Sequence, residues 1–364
     1  MTTTTETNHV VSAAEVAYLP TDPASCETPI ALIGCGGISG FHLAAYAAAG
    51  YRVVALCDIV AERARARRDE YFPDADIYTD HHELLARPDV EVVDIATHVD
   101  VRPRLVRDAL DAGKDVLSQK PFARTITTGR ELIDRARTHN RLLAANQNGR
   151  WAPHFSYLLA TIRAGLIGDV TSADFWENWP HDRVVAGNEV FSNMQDLLLL
   201  DFGIHWFDLI AQIFAGKQAN EVTARVMKVP GAEIPVPTNA QVLIDFDDAQ
   251  ASIRFRGSSH YNEEAGFRIE GTAGVITHTG AWLGGPSITV TTAAGSEHVD
   301  LEGEWFTNGM HGAMAELLKA REEGRLPAND ASTVLPSLQL CYAALQSARE
   351  LTTVDPRTVD SADQ

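Results

Sequence analysis

Cysteine is scarce. Cys26, Cys35, Cys57 and Cys341 are the only four in 364 residues, and no two stand in C-x-x-C spacing. This argues against a structural zinc site or a disulfide framework and fits a reducing compartment. Basic residues are also in deficit, with 30 Lys and Arg against 49 Asp and Glu and a net charge of −19. An acidic body repels phosphate backbones and anionic lipid, so neither nucleic acid nor a membrane is an expected partner. No run reaches the ~18 apolar residues that a membrane span needs. Residues 1–28 are Thr-rich, with neither a basic start nor an apolar h-region, and read as a disordered or extended tail rather than a secretory signal. The expected location is the cytoplasm.

What is present points to two domains, an expectation that the length supports. Across residues 29–147, short apolar strands at 30–33, 51–57, 90–96, 114–117 and 142–145 alternate with helical stretches. That alternation predicts βαβ units and a mostly parallel sheet. Beyond residue 148 the texture changes to β-like runs at 170–176, 221–229, 240–246, 251–256, 266–270 and 287–292, which predict an antiparallel or mixed sheet. One helix is expected over 197–214, and two more close a second domain over 148–355, with 356–364 as a short tail.

Chemistry-bearing residues fall at the joints of this pattern. Gly34-x-Gly36-x-x-Ser39 follows a strand and opens a helix, the context that a dinucleotide fingerprint requires. Asp58 ends the second strand, 22 residues after Gly36. A carboxylate there accepts hydrogen bonds from ribose hydroxyls and repels a 2′-phosphate, so NAD is expected over NADP; a plain helix cap is the competing reading. Lys120 follows the strand at 114–117, at the edge of the sheet where open α/β folds bind ligands. Asp201, His205 and Asp208 stand at i, i+4 and i+7 and share one helix face. An imidazole there suits removal of a hydroxyl proton as hydride leaves the same carbon.

Four patterns together resemble the family named after glucose-fructose oxidoreductase, inositol 2-dehydrogenase and the rhizopine-catabolism protein MocA. They are Gly34-Cys35-Gly36-Gly37-Ile38-Ser39-Gly40-Phe41-His42, Leu56-Cys57-Asp58, the run 112–121 ending Ser118-Gln119-Lys120-Pro121, and Asp201-Phe202-Gly203-Ile204-His205. The resemblance implies a Rossmann domain followed by an α/β domain whose open, mostly antiparallel sheet builds homodimers or homotetramers. It implies a cofactor held by Gly34, Gly36, Gly37, Ile38, Asp58, Thr97, His98, Gln119, Lys120 and Pro121. Lys120 would polarise the reacting hydroxyl, His205 act as acid/base and Asp201 orient substrate or imidazole, with sugars, polyols or inositols as substrates and no metal. The chain departs from the family where Glu-Lys-Pro becomes Gln119-Lys120-Pro121, where Thr-Pro becomes Thr97-His98, and where a histidine in the next helix is replaced near Arg102. The first departure looks like a subgroup that also carries the run Asn146-Gln147-Asn148-Gly149-Arg150-Trp151-Ala152-Pro153.

For the substrate, Asn148, Arg150, Trp151, His154, Trp179, His181 and Arg183 are candidates, because indole faces stack on sugar rings and Asn, His and Arg bind hydroxyls or an anionic group. The tryptophans serve equally well as core or interface anchors. A sharper expectation is that Arg150 or Arg183 reads the carboxylate or sulfonate of an acidic sugar. Two other functions use the same parts: an NAD-dependent glycosidase working by transient C3 oxidation, elimination, hydration and re-reduction, and a non-catalytic NAD/sugar sensor.

Overall fold

The computed structural model describes residues 12–280 and 287–361. The first half alternates β1 (Ile30–Ile33), α1 (Ser39–Ala48), β2 (Val53–Cys57), α2 (Ala61–Tyr71), β3 (Asp76–Tyr78), α3 (His81–Leu85), β4 (Val92–Ile95), α4 (Arg102–Asp111), β5 (Asp115–Gln119), α5 (Ile126–Thr138) and β6 (Leu143–Asn146). Its sheet runs β3-β2-β1-β4-β5-β6, parallel throughout. β1, β4, β5 and β6 are buried along their whole length, as strands covered by helices on both faces must be. The strand order reverses between β1 and β4, and that reversal opens a crevice at the carboxyl ends. β3 escapes sequence reading because it is a three-residue edge strand without an apolar run.

The second half holds α6 (Pro153–Arg163), β7 (Val170–Asn178), α7 (His181–Val185), α8 (Glu189–Ser192), a π-helical turn at Leu197–Phe202, α9 (Ile204–Ile213), β8 (Ala219–Met227), β9 (Asn239–Phe246), β10 (Gln250–Arg256), β11 (Glu264–Gly271), β12 (Gly274–Gly280), β13 (Ser287–Thr292), β14 (Gly295–Asp300), α10 (Trp305–Glu323) and α11 (Leu335–Glu350). The eight strands run β14-β13-β12-β11-β7-β10-β9-β8, with β7 and β10 parallel and the other pairs antiparallel. Phe175, Phe255 and Phe267 on the inner face meet Phe155 of α6 and Trp206 of α9, with ring centroids 5.0–6.3 Å apart. β12 and β14 were not anticipated: glycines bracket β12, and β14 is exposed almost throughout.

α10 returns to the first domain, where Met310, Met314 and Leu317 join Leu43 and Tyr46 of α1 in one buried cluster. The described parts of the segments expected as tails, residues 12–28 and 356–361, are tied to the body of the protein. Ala13 and Val16 are buried, Tyr157 Oη donates to Ala13 O (2.6 Å), and Ser156 Oγ donates to Tyr18 O (2.5 Å). At the other end Ile126 N donates to Asp360 O (2.7 Å), and Val359 is buried. Small apolar side chains with backbone partners on the domain surface hold these segments in place. Residues 1–11 and 362–364 of the expected tails lie outside the described residues. Among the described residues, no helix is long and apolar enough to cross a membrane.

Candidate active site

The glycine turn sits where β1 meets α1. Gly34 has φ +101°, and a Cβ there would stand 2.8 Å from Thr97 Cγ2 and 3.0 Å from the Ala96 carbonyl carbon. The turn therefore packs directly on the end of β4, a contact that only glycine permits. At Gly36 and Gly37 a Cβ would meet nothing within 4 Å, so the backbone faces open space beside the start of α1. Their carbonyls are held from the other side by Arg67 (3.2 and 3.4 Å) and Ser39 (2.6 Å to Gly36), and a glycine backbone open on its Cα side at a helix N-terminus is the seat that a pyrophosphate requires. Asp58 closes the turn from β2: Oδ2 accepts from Cys35 N (2.8 Å) and Oδ1 from Val60 N (2.9 Å). These bonds brace the glycine turn and the approach to α2, whose N-cap is Val60, and of a carboxylate's about four acceptor sites they leave two. Arg102, 2% exposed, was missed as a site residue. Its guanidinium donates to the carbonyls of Thr97 (Nε, 3.1 Å), Gln119 and Pro121, tying the ends of β4 and β5 together, and burial draws it down to about 9. His98 turns outward to Asp100 (3.0 Å).

At the end of β5, Lys120 reaches the second domain. Its Nζ donates to Asp201 Oδ1 (3.0 Å) and to the Asp201 carbonyl (2.6 Å). Asp201 and its carbonyl lie in the π-helical turn just before α9. Burial works to raise the Asp201 carboxyl, but the Lys120 ammonium outweighs it and holds the carboxyl below its ordinary range. His205 opens α9. Its Nδ1 packs against Gly149, where a Cβ would stand 3.3 Å away, and its ring meets Trp305 edge-on at 5.6 Å. Burial, then the Lys120 charge, lower the His205 imidazole to about 3, and Asp201 opposes them. His181 joins the same group: burial lowers it to about 4, with Asp201 opposing and Lys120 adding to the shift, and neither ring nitrogen has a hydrogen-bond partner among the described residues. An ammonium, a carboxylate and two neutral imidazoles thus stand together beside the β5 end.

Residues 28–147 match the profile described as "Oxidoreductase family, NAD-binding Rossmann fold", and residues 155–277 match that of the GFO/IDH/MocA C-terminal domain. The chain belongs to the Gfo/Idh/MocA oxidoreductase family. It is similar to the D-apiose dehydrogenase of Paraburkholderia graminis, 32% identical over 188 residues, which are 50% of this chain and 49% of that protein. It is also similar to the inositol 2-dehydrogenase of Gluconacetobacter diazotrophicus, 35% identical over 144 residues, 39% of this chain and 43% of that one. The chain spans about half the length of the curated relatives it matches. Among solved structures, an oxidoreductase from Agrobacterium radiobacter in complex with NAD+, L-tartaric acid and magnesium superposes with a TM-score of 0.82 at 23% identity, covering 91% of this chain and 99% of that one. Levoglucosan dehydrogenase in complex with NADH and levoglucosan gives 0.75 at 20% identity, over 90% and 99%. At these identities the two structures speak for the Gfo/Idh/MocA fold alone.

The candidate substrate residues divide. Trp179 and His181 are buried side by side, with Trp179 stacked on Phe202 (5.2 Å) and 4.6 Å from the His181 ring. His154 lies between His278 (5.3 Å) and Trp305 (5.6 Å), and burial depresses its imidazole. Asn148 Oδ1 accepts from the Trp305 indole (2.9 Å) and so supports the wall of His205. Trp151 faces elsewhere: a Cβ on Gly312 of α10 would stand 2.2 Å from its ring, which packs there beside Tyr18 and Leu19. It is an anchor between elements. The acidic-sugar expectation fails for Arg150, whose Nε and Nη2 grip both Asp208 oxygens at 2.7 Å while Nη1 donates to Ala328 O (2.9 Å) and Thr333 Oγ1 (3.0 Å). Burial forces that closed partnership on both charges. Arg183 is 54% exposed, 3.9 Å from Glu233. Trp305 was not anticipated, because nothing near it in sequence marks it.

Proposed function

We propose that this chain transfers hydride between NAD and a secondary hydroxyl of an uncharged sugar, polyol or inositol. The observation that carries the reading is the Lys120 ammonium held 3.0 Å from Asp201 beside a neutral His205. Gly34, Gly36, Gly37 and Asp58 hold the cofactor, which when bound supplies the hydride acceptor. Asp58 favours NAD, because its carboxylate meets ribose hydroxyls and repels a 2′-phosphate. Lys120 donates a charge-assisted hydrogen bond to the substrate oxygen and stabilises the alkoxide as it develops. His205 Nε2, on the side away from Gly149, takes the hydroxyl proton, and Asp201 supports the imidazolium that forms. His181 and Trp179 bind the rest of the substrate. With Arg150 closed on Asp208, the cleft's remaining donors and acceptors suit hydroxyls. D-apiose dehydrogenase and inositol 2-dehydrogenase, named for such substrates, agree with this reading. Assembly into a homodimer or homotetramer belongs to the same proposal, through the outer face of the eight-stranded sheet, where Leu243 and Met227 are exposed.

The test is an anaerobic panel of sugars, acidic sugars, inositols and aryl glycosides with NAD, following NADH and aglycone together. Stoichiometric NADH from a neutral polyol or sugar is expected. Aglycone release without accumulating NADH would replace the dehydrogenase with a redox-assisted glycosidase, and silence across the panel with intact NAD binding would favour a sensor.

A further inference from the structure

Beneath Lys120 runs a chain of buried polar groups that the catalytic proposal leaves unused. Asp94, His42, Gln119 and Asn146 are 0–4% exposed, in the middle of a parallel sheet and its first helix. Asp94 Oδ2 meets His42 Nδ1 at 2.7 Å and accepts from Tyr46 Oη at 2.8 Å. His42 Nε2 lies 3.0 Å from Gln119 Nε2 and 3.2 Å from Asn146 Nδ2. Gln119 Oε1 accepts the backbone N–H of Lys120 at 2.6 Å.

The polarity of this chain follows from its ends. The Lys120 N–H is a donor only, so the facing atom of Gln119 is its oxygen and the amide nitrogen is turned to His42. Gln119 and Asn146 both present N–H groups to His42 Nε2, which is therefore an acceptor. The imidazole then carries its single proton on Nδ1 and donates it to Asp94. Every step is set by the one before it, from the carboxylate in β4 to the backbone of the lysine at the end of β5.

We propose that Asp94, His42 and Gln119 are positioning residues that orient Lys120, and that position 119 is an amide because His42 offers it a lone pair. This rests on the role proposed for Lys120 above. A carboxylate at 119 would bring one oxygen against the Nε2 lone pair and could be satisfied only if His42 took a second proton. The arrangement also has a reversed form. With Asp94→Asn and Gln119→Glu together, His42 moves its proton to Nε2 and donates to the carboxylate introduced at 119, while Nδ1 accepts from the new amide at 94. Asn146 turns to present Oδ1, which has no partner among the described residues.

The full-length protein carries the test in three readings. Side-chain 15N spectra of His42 are expected to show Nδ1–H with a bare Nε2 in the wild type, and Nε2–H in D94N/Q119E; the opposite tautomer or an imidazolium in the wild type overturns the relay. Melting temperature is expected to fall by roughly 2–6 °C in Q119E and to recover by at least half that in D94N/Q119E, whereas additive losses overturn the coupling. Reductive methylation of Lys120, read by mass spectrometry, needs no substrate: its rate is expected to change about tenfold in Q119E and to return toward wild type in the double variant. Equal methylation in all three proteins, with the tautomer as expected, makes the network purely structural and overturns positioning. Loss of NADH formation in Lys120→Ala tests the dehydrogenase reading separately, since that variant leaves His42 untouched.

Discussion

Arg150 separates a strut from a substrate reader. Replacing it with Leu removes four hydrogen bonds and leaves the Asp208 carboxylate, 1% exposed, without its cation. Stranding a buried charge in this way costs about 3–5 kcal/mol. Spread over 364 residues at about 2.1 cal/mol/K each, the loss is a fall in melting temperature of roughly 4–7 °C. Arg150→Met with Asp208→Leu removes both charges; Thr333 Oγ1 still donates to Asp330 O (2.8 Å), so the main remaining loss is the Ala328 carbonyl's bond to Arg150, worth about 1–3 kcal/mol. The double variant is therefore expected to melt above the single one. Scanning calorimetry measures both, and calorimetric titration compares neutral with acidic sugars on the wild type and the double variant. An Arg150→Leu protein that melts within about 1 °C of the wild type while losing only acidic ligands would refute the strut and reinstate an anion-reading arginine.

Three further outcomes follow from the site. Gly36→Ala enters open space and should leave stability within about 0.5 kcal/mol while weakening NAD binding more than about tenfold, whereas Gly34→Ala, strained by φ +101° and a 2.8 Å contact, should destabilise the fold itself; isothermal titration beside a melt distinguishes them. Lys120→Ala and His205→Asn should each lower NADH formation by about 10²–10⁴-fold with NAD affinity retained, and unchanged turnover in both would remove the catalytic assignment. His181, lowered by burial from 6.5 to about 4, takes up its proton in the unfolded chain before the folded one. Stability should therefore fall as pH drops from about 6.5 toward 4, by about 2 kcal/mol at pH 5 from this group. His181→Asn should flatten that part of the urea-midpoint profile, and an identical acid limb in both proteins would contradict it.

Much of the first domain was legible because its information is local. Strands covered on both faces read as apolar runs, Gly34 and Gly36 mark the turn that follows one of them, and Lys120 comes just after another. The i, i+4 spacing of Asp201 and His205 likewise put both in one helical stretch, although not the π-helical turn that holds the Asp201 carbonyl to which Lys120 donates. β3 and β14 were missed because short edge strands bury too little to need an apolar pattern. The candidate substrate residues are scattered in place: His181 and Trp179 pack beside Phe202, Trp151 packs on Gly312, and Arg150 is closed on Asp208.

The sequence by itself determined the alternating domain, the glycine turn and which ionisable residues stand at strand ends and helix starts, since each is set by neighbours within a few positions. Only the tertiary structure decided which of those charges face a ligand and which face each other. Arg150 and Asp208 are 58 positions apart, His42 and Asp94 are 52, and Asn148 and Trp305 are 157. Buried polar groups must find partners wherever packing brings them, and packing joins elements that no local spacing connects.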